Sequence, residues 1–227
     1  MVSVVEPPPE LRAAAVRCFG DRLPIAVRFA ELLATDGVVR GLIGPRESDR
    51  LWERHLLNCA VVADLIGPSA SVIDVGSGAG LPGIVLAVAR ADLTMVLVEP
   101  MARRSAFLAE AVEALGLDHV TVVRGRAEEL ARRGRKGAGP ASVAPADVVT
   151  ARAVAPLDRL AAWCLPLAVD GGRILALKGE SASEEVAAHH AAVLRAGGGE
   201  PVVRHCGEGL LPTPTTVVEV VRQGRRR

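Results

Sequence analysis

The stretch DVGSGAGLPG (74–83) sets four glycines and one proline within ten positions, between the apolar runs SVI and IVLAVA. Glycine weakens the interior of helices and strands alike, so this density marks a loop. The flanks are short and continuously apolar, as in elements buried on both sides. SVIDV therefore reads as a strand, and LPGIVLAVAR as the helix that follows the loop. One acid, Asp74, stands at the junction.

Outward from this loop the pattern alternates. LTMVLVE is a second strand and MARRSAFLAEAVEALG a helix; HVTVVRG is a third strand. RRGRKGAGPASVAPA (132–146) reads as a Gly/Pro/Ala loop with a basic head. DVVTAR and GRILALKG are the fourth and fifth strands, each followed by a helical run, PLDRLAAWCLPLA and SEEVAAHHAAVLRAG. PVVRHC and TTVVEVVR close the chain without an intervening helix, which predicts an antiparallel hairpin at the sheet edge. Strands alternating with helices predict an α/β fold, a mostly parallel, Rossmann-like, seven-stranded sheet with helices on both faces. Before residue 68 the pattern is helical instead, in PPPELRAAAVRCF, DRLPIAVRFAELLA and ESDRLWERHLLNCAVVADLIG, the last stopped by Gly67-Pro68. The expected division is an N-terminal helical part, 1–67, and a sheet domain, 68–227.

Composition bounds the function. Half of the 227 residues are apolar and 2% are aromatic, so the core is aliphatic and extensive disorder is excluded. The net charge is +1, so affinity for a polyanion has to come from local patches. Cys18, Cys59, Cys164 and Cys206 lie far apart with no CxxC, which fits buried thiols and neither a disulfide framework nor a zinc site. His189 and His190 are adjacent on a predicted helix and face different directions, which argues against a metal. The N-terminus lacks a signal-peptide pattern and no apolar run reaches membrane-spanning length, so the expectation is a cytoplasmic protein, not a membrane one.

In open α/β sheets ligands bind beyond the carboxyl ends of the strands, where strand order reverses. The loop at 74–83 lies there, and two nucleotide patterns compete for it. In a dinucleotide GxGxxG the first glycine follows the strand directly. Gly76, Gly78 and Leu81 break that register, and Gly78, Gly80 and Gly83 start late and enclose Pro82. The other pattern, acid-x-G-x-G-x-G, is filled by Asp74, Gly76, Gly78 and Gly80. It is the first motif of S-adenosylmethionine methyltransferases, where an acid suits a cofactor with an ammonium and a sulfonium. Glu99, at the end of the second strand, can accept from ribose hydroxyls, a device that nicotinamide sites share. Ala127 and Glu128, after the third strand, stand where methyltransferases of this fold hold the adenine.

VIDVGSGAGLPGIVLAV, RGRAEEL, VTARAVAPL and ILALKG, in this order and spacing, resemble the RsmG (GidB) family over residues 45–185. The resemblance implies a Rossmann-like class I methyltransferase with an N-terminal helical cap. It implies methyl transfer from S-adenosylmethionine to N7 of one guanine in 16S ribosomal RNA, within the 30S subunit or its precursor. It also implies cofactor contacts at Gly76, Leu81, Ala127, Glu128 and Arg152. RHLLNCAVV is similar to the family's cap helix, with His55 matching and Asn58 where the family has aspartate.

The chemistry of the residues agrees. N7 of guanine carries a free lone pair, so its methylation needs alignment and no proton removal. After the fourth strand, TARAVAP lacks the Asp/Asn-Pro-Pro-aromatic box of amino-methylating enzymes, and the chain contains no tyrosine. Cys164 lies within the next helix, where a core thiol is expected. No catalytic residue is therefore assigned. Arg126, Arg152 and Lys178, at the ends of strands three to five, are the expected RNA contacts, with His55 from the cap. RRGRK and the terminal RRR can add non-specific phosphate attraction. A monomer without metal is expected. The competing functions are a small-molecule methyltransferase, a nicotinamide dehydrogenase and a non-catalytic RNA-binding module.

Overall fold

The computed structural model describes residues 5–44, 47, 50–136 and 143–224, with backbone alone at 132–136. Seven strands form one sheet in the order β3-β2-β1-β4-β5-β7-β6. They are β1 (Ser71–Val75), β2 (Thr94–Glu99), β3 (Val120–Arg124), β4 (Ala146–Arg152), β5 (Ala168–Lys178), β6 (Val202–Cys206) and β7 (Thr215–Val221). The first five are mutually parallel; β7 runs antiparallel to both β5 and β6. The edge hairpin is as expected, with β7 as its inner strand.

Side chains leave a strand alternately to its two faces. Val72, Leu97 and Leu175 join one core with α4 (Gly83–Ala89), α5 (Ala102–Ala114) and the N-terminal helices. Ile73, Val149, Ile174 and Val218 join a second core with α6 (Ala127–Lys136), α7 (Leu157–Cys164) and α8 (Ala182–Arg195). Both faces are thus covered. Strand order reverses between β1 and β4, since the chain runs outward from β1 through β2 to β3 and then returns beside β1.

The N-terminal part contains α1 (Arg12–Phe19), α2 (Leu23–Leu32), whose Pro24 sits in its first turn, and a third segment that is not one regular helix. Leu51–Leu57 winds widely, Asn58–Ala60 (α3) is one α turn, and Val61–Leu65 winds tightly. The buried pairs Leu51-Trp52 and Leu56-Leu57 repeat at five residues, which suits a wide turn better than 3.6. Further boundaries differ from expectation: β5 begins at Ala168, four residues before GRILALKG and at the end of the run read as helical. α4 begins at Gly83 and not Leu81, because Leu81 and the buried Pro82 still belong to the loop. α6 continues to Lys136, so the basic head expected in a loop is helical. The remainder of that loop through 142, and the terminal RRR, lie outside the described residues.

Arg90 ties the N-terminal part to the sheet domain. Its guanidinium donates to the carbonyls of Ala63, Ile66 and Gly67 and pairs with Asp92 at 2.7 Å. These acceptors lie at and just beyond the end of the tight winding, where a helix terminus leaves carbonyls without helical partners.

Candidate functional site

The glycine loop leaves β1 at the point where strand order reverses. Gly76 has φ +68° and a Cβ there would stand 2.8 Å from Val154 Cγ2, so both its conformation and its surroundings demand glycine. Gly78 has φ +56°, and a Cβ there would meet only the Gly76 carbonyl, at 3.7 Å. Above Gly78 the space is open.

Two acids hold this loop from opposite sides. Asp74 is fully buried. It accepts from Ser77 Oγ, from Thr150 Oγ1 at 2.7 Å and from Gly83 N at 3.1 Å. Thr150 is its register partner on β4. The carboxylate thus joins strand, loop and helix start, and burial pushes its pKa up to about 6 against the pull of those hydrogen bonds. Asp74 therefore faces the protein, where it positions the loop. Glu99, only 2% exposed, accepts from Gly78 N at 3.0 Å through Oε2 and from Met101 N at 2.9 Å through Oε1. A carboxylate oxygen has two acceptor directions, so each of its oxygens keeps one.

Glu99 and Gly76 line a cleft of about 370 Å³ together with Arg126, Ala127 and Glu128 from the start of α6. Ala153 and Val154, after β4, close one side, and Ala153 holds φ +54°, a conformation rare outside glycine. The structure therefore brings Gly76, Glu99, Arg126, Ala127 and Glu128 together as expected. Gly78 and Gly80 belong to the same loop, and Leu81 is half-buried in its turn.

The other expected RNA contacts are engaged within the protein. Lys178, 13% exposed, donates to Glu185 Oε1 at 2.8 Å and to the Ala155 carbonyl at 3.1 Å. Glu185 also accepts from Leu157 N, so this lysine fastens α8 to the start of α7. Arg152 donates to Cys59 Sγ, to the Arg54 carbonyl and, at 2.9 Å, to His55 Nδ1. An arginine can only donate, so Nδ1 accepts and the His55 proton sits on Nε2, 3.0 Å from Glu47 Oε2. Burial first, and the Arg152 charge second, hold the His55 pKa below its ordinary value. Arg152 and His55 thus clasp the N-terminal helices onto the end of β4, and Lys178 serves the opposite face. Of the three expected contacts, Arg126 has a mostly exposed side chain, whereas Arg152 and Lys178 are held by partners within the protein.

Some lining residues escaped the sequence reading. Met101 and Arg104 come from the start of α5, and Arg159 and Trp163 from α7. The Arg159 guanidinium lies 4.8 Å from the Trp163 ring centre. Their spacing of four residues was the available signal, since such pairs meet on a helix face. Cys164, next to Trp163, is fully buried, and burial raises its thiol pKa, which leaves no thiolate for nucleophilic attack. His189 lies 3.8 Å from Asp158, and His190 is 2.6 Å from Glu200.

Known proteins bear on this geometry. A family model, rRNA small subunit methyltransferase G (GidB), matches residues 22–211. Two curated relatives are both named ribosomal RNA small subunit methyltransferase G. That of Salinispora tropica is 65% identical over 96% of this chain and 88% of its own. That of Rhodococcus jostii is 58% identical over 95% and 92%. Among solved structures, Aeropyrum pernix fibrillarin with bound S-adenosylmethionine matches with a TM-score of 0.52 at 17% identity, over 74% of this chain and 75% of that one. An O-methyltransferase family protein from Burkholderia thailandensis matches at 0.54 and 16%, over 92% and 63%. At such identities these two support the fold, which is that of Rossmann-like methyltransferases. The family model spans the glycine loop, Glu99, Ala127 and the whole cleft wall, and the chain belongs to the small-subunit ribosomal RNA methyltransferase G family.

Proposed function

We propose that the chain transfers the methyl group of S-adenosylmethionine to N7 of a guanine in 16S ribosomal RNA, presented in the 30S subunit or its precursor. The observation that carries this reading is the hydrogen bond from Gly78 N to Glu99, whose carboxylate lines the open cleft inside the family-matched segment. A loop with no Cβ at Gly78 leaves room for a nucleoside. Buried Glu99 keeps one acceptor direction on each oxygen for ribose hydroxyls. Ala127 and Glu128 border the expected adenine position, and Leu81 shapes the loop behind it.

Bound S-adenosylmethionine supplies a methyl group activated by its sulfonium. The protein's part is alignment and shielding from water. Guanine N7 has a lone pair to give, and its methylation removes no proton. The site agrees with that chemistry. His55 has Nδ1 occupied by Arg152, Asp74 is enclosed, and Cys164 is buried in α7. Residues 1–67 act as a cap clasped by Arg152 and Arg90 beside the cleft. The enzyme works as a monomer, without metal, in the cytoplasm, where its ribosomal substrate resides.

Incubation with isotopically labelled S-adenosylmethionine and 30S particles is expected to place label in 16S rRNA. Calorimetry is expected to show binding of S-adenosylmethionine, no binding of NAD, and loss of cofactor binding in Gly78→Val, whose side chain fills the open space. Affinity for NAD, or undiminished cofactor binding by that variant, would overturn the reading.

A further inference from the structure

The one anion of S-adenosylmethionine is its methionine carboxylate; the adenosine end, expected against Glu99, Ala127 and Glu128, bears none. Arginines beside that end therefore need another partner. Yet Arg104, Arg126 and Arg159 all line the cleft that contains Glu99 and Ala127. They arrive from three separate elements: the start of α5, the turn before α6, and α7. Exposed Arg103 and Arg124 flank them. Among the described residues Arg104 and Arg159 enter no ion pair. Arg126, with a side chain 66% exposed, has only Glu128, at 3.9 Å. The acids near these five arginines are Glu128, exposed Glu129, buried Glu99 and Asp158, which lies 3.8 Å from His189, so the arginines outnumber them. The Arg159 guanidinium is backed by the Trp163 ring, which makes a flat, cationic wall.

We infer that the RNA backbone next to the target guanine runs along the Arg104–Arg126–Arg159 edge of the cleft, and that a splayed base stacks on Arg159 and Trp163. This rests on the functional reading above. Single-stranded RNA is held in this way, by cations that follow the phosphates and by planar groups that stack on unpaired bases. Strand ends β2 and β3 and helix α7 thus form the substrate track, and the β4–β5 side contributes structural clasps.

The test is fluorescence anisotropy with an end-labelled 16S rRNA transcript across a potassium chloride series, in the presence of S-adenosylhomocysteine. The combined variant Arg104→Gln, Arg126→Gln, Arg159→Gln is expected to flatten the slope of log affinity against log salt by about two. Calorimetric affinity for S-adenosylhomocysteine is expected to stay within about twofold of wild type. The corresponding Arg→Lys triple variant is expected to keep the wild-type slope. Trp163→Phe is expected to retain RNA affinity and Trp163→Leu to lose roughly tenfold, the effect of one stacked base. An unchanged slope in the Gln variant overturns the track. A parallel fall in cofactor affinity also overturns it, by assigning the arginines to the cofactor. Equal RNA affinity of the Phe and Leu variants overturns the stack. Wild-type protein that leaves 16S rRNA unmethylated overturns the functional reading instead, so the two failures are distinguishable.

Discussion

The two sides of the sheet's carboxyl edge look alike in sequence and differ in structure. On the β4–β5 side stand Arg152 and Lys178, each with protein partners at hydrogen-bond distance. On the β2–β3 side stand Arg104 and Arg126, joined by Arg159 from α7, with one pairing among them, at 3.9 Å. A cation at a strand end is therefore no sign of a substrate contact until its partners are known. The first side uses charge to fasten helices to the sheet. The second leaves charge available to an anion.

The largest effect expected from breaking this contrast is on stability. Lys178→Ala leaves Glu185 without its cation in a pair whose side chains are 13% and 21% exposed. Residual solvent moderates the cost, so a loss of roughly 2 kcal/mol is expected, read as a Tm lower by about 4–8 °C. The salt slope of RNA binding is expected to stay at its wild-type value. A flattened slope with unchanged Tm would show Lys178 to be an RNA contact after all.

A comparable stability effect is expected from Asp74, with a pH signature. Its folded pKa, about 6, lies above the ordinary value of an unfolded aspartate, about 3.9. Between those values the native state holds more protons than the unfolded state, so this group's contribution to stability falls as pH rises from 4 through 6. Asp74→Asn is expected to remove that decline, which denaturant titrations at several pH values would detect. An identical pH dependence in the variant would contradict the buried, protein-facing placement.

Arg126→Gln is expected to act in the opposite sense from Lys178→Ala. Its side chain is mostly exposed, so stability should change by less than about 0.5 kcal/mol. RNA affinity at low salt is expected to fall severalfold, as anisotropy would report. The smallest effect belongs to His55. The single-turnover methylation rate is expected to stay nearly flat across neutral pH, and His55→Ala is expected to leave the shape of that profile unchanged. General-base assistance is worth ~100-fold or more, so a steep acid limb that vanishes in His55→Ala would expose a titrating base.

The sequence made the architecture legible because periodicity reports burial. Every strand from SVIDV to TTVVEVVR was found, and the edge hairpin followed from the missing helix between the last two. The windings of residues 51–65 were not legible, because the buried pairs Leu51-Trp52 and Leu56-Leu57, five residues apart, pass for part of one wide helical stripe. At the site, the glycine loop and Glu99 were readable from spacing. The inward turn of Asp74 was not, since it depends on Thr150, a register neighbour 76 residues away. Strand parity held one overlooked clue. Arg152 shares a face with Val148 and Thr150, and Lys178 shares one with Ile174 and Ala176, and those faces carry different cores. The two cations leave the sheet on opposite sides.

The central claim is methyl transfer by alignment to a nitrogen that carries no proton. Nucleoside mass spectrometry of 16S rRNA recovered from the reaction with 30S particles tests it most directly. The account predicts 7-methylguanosine at a single site, approaching one per particle. Methyl found on an exocyclic amine, on a ribose hydroxyl or on another base would contradict it.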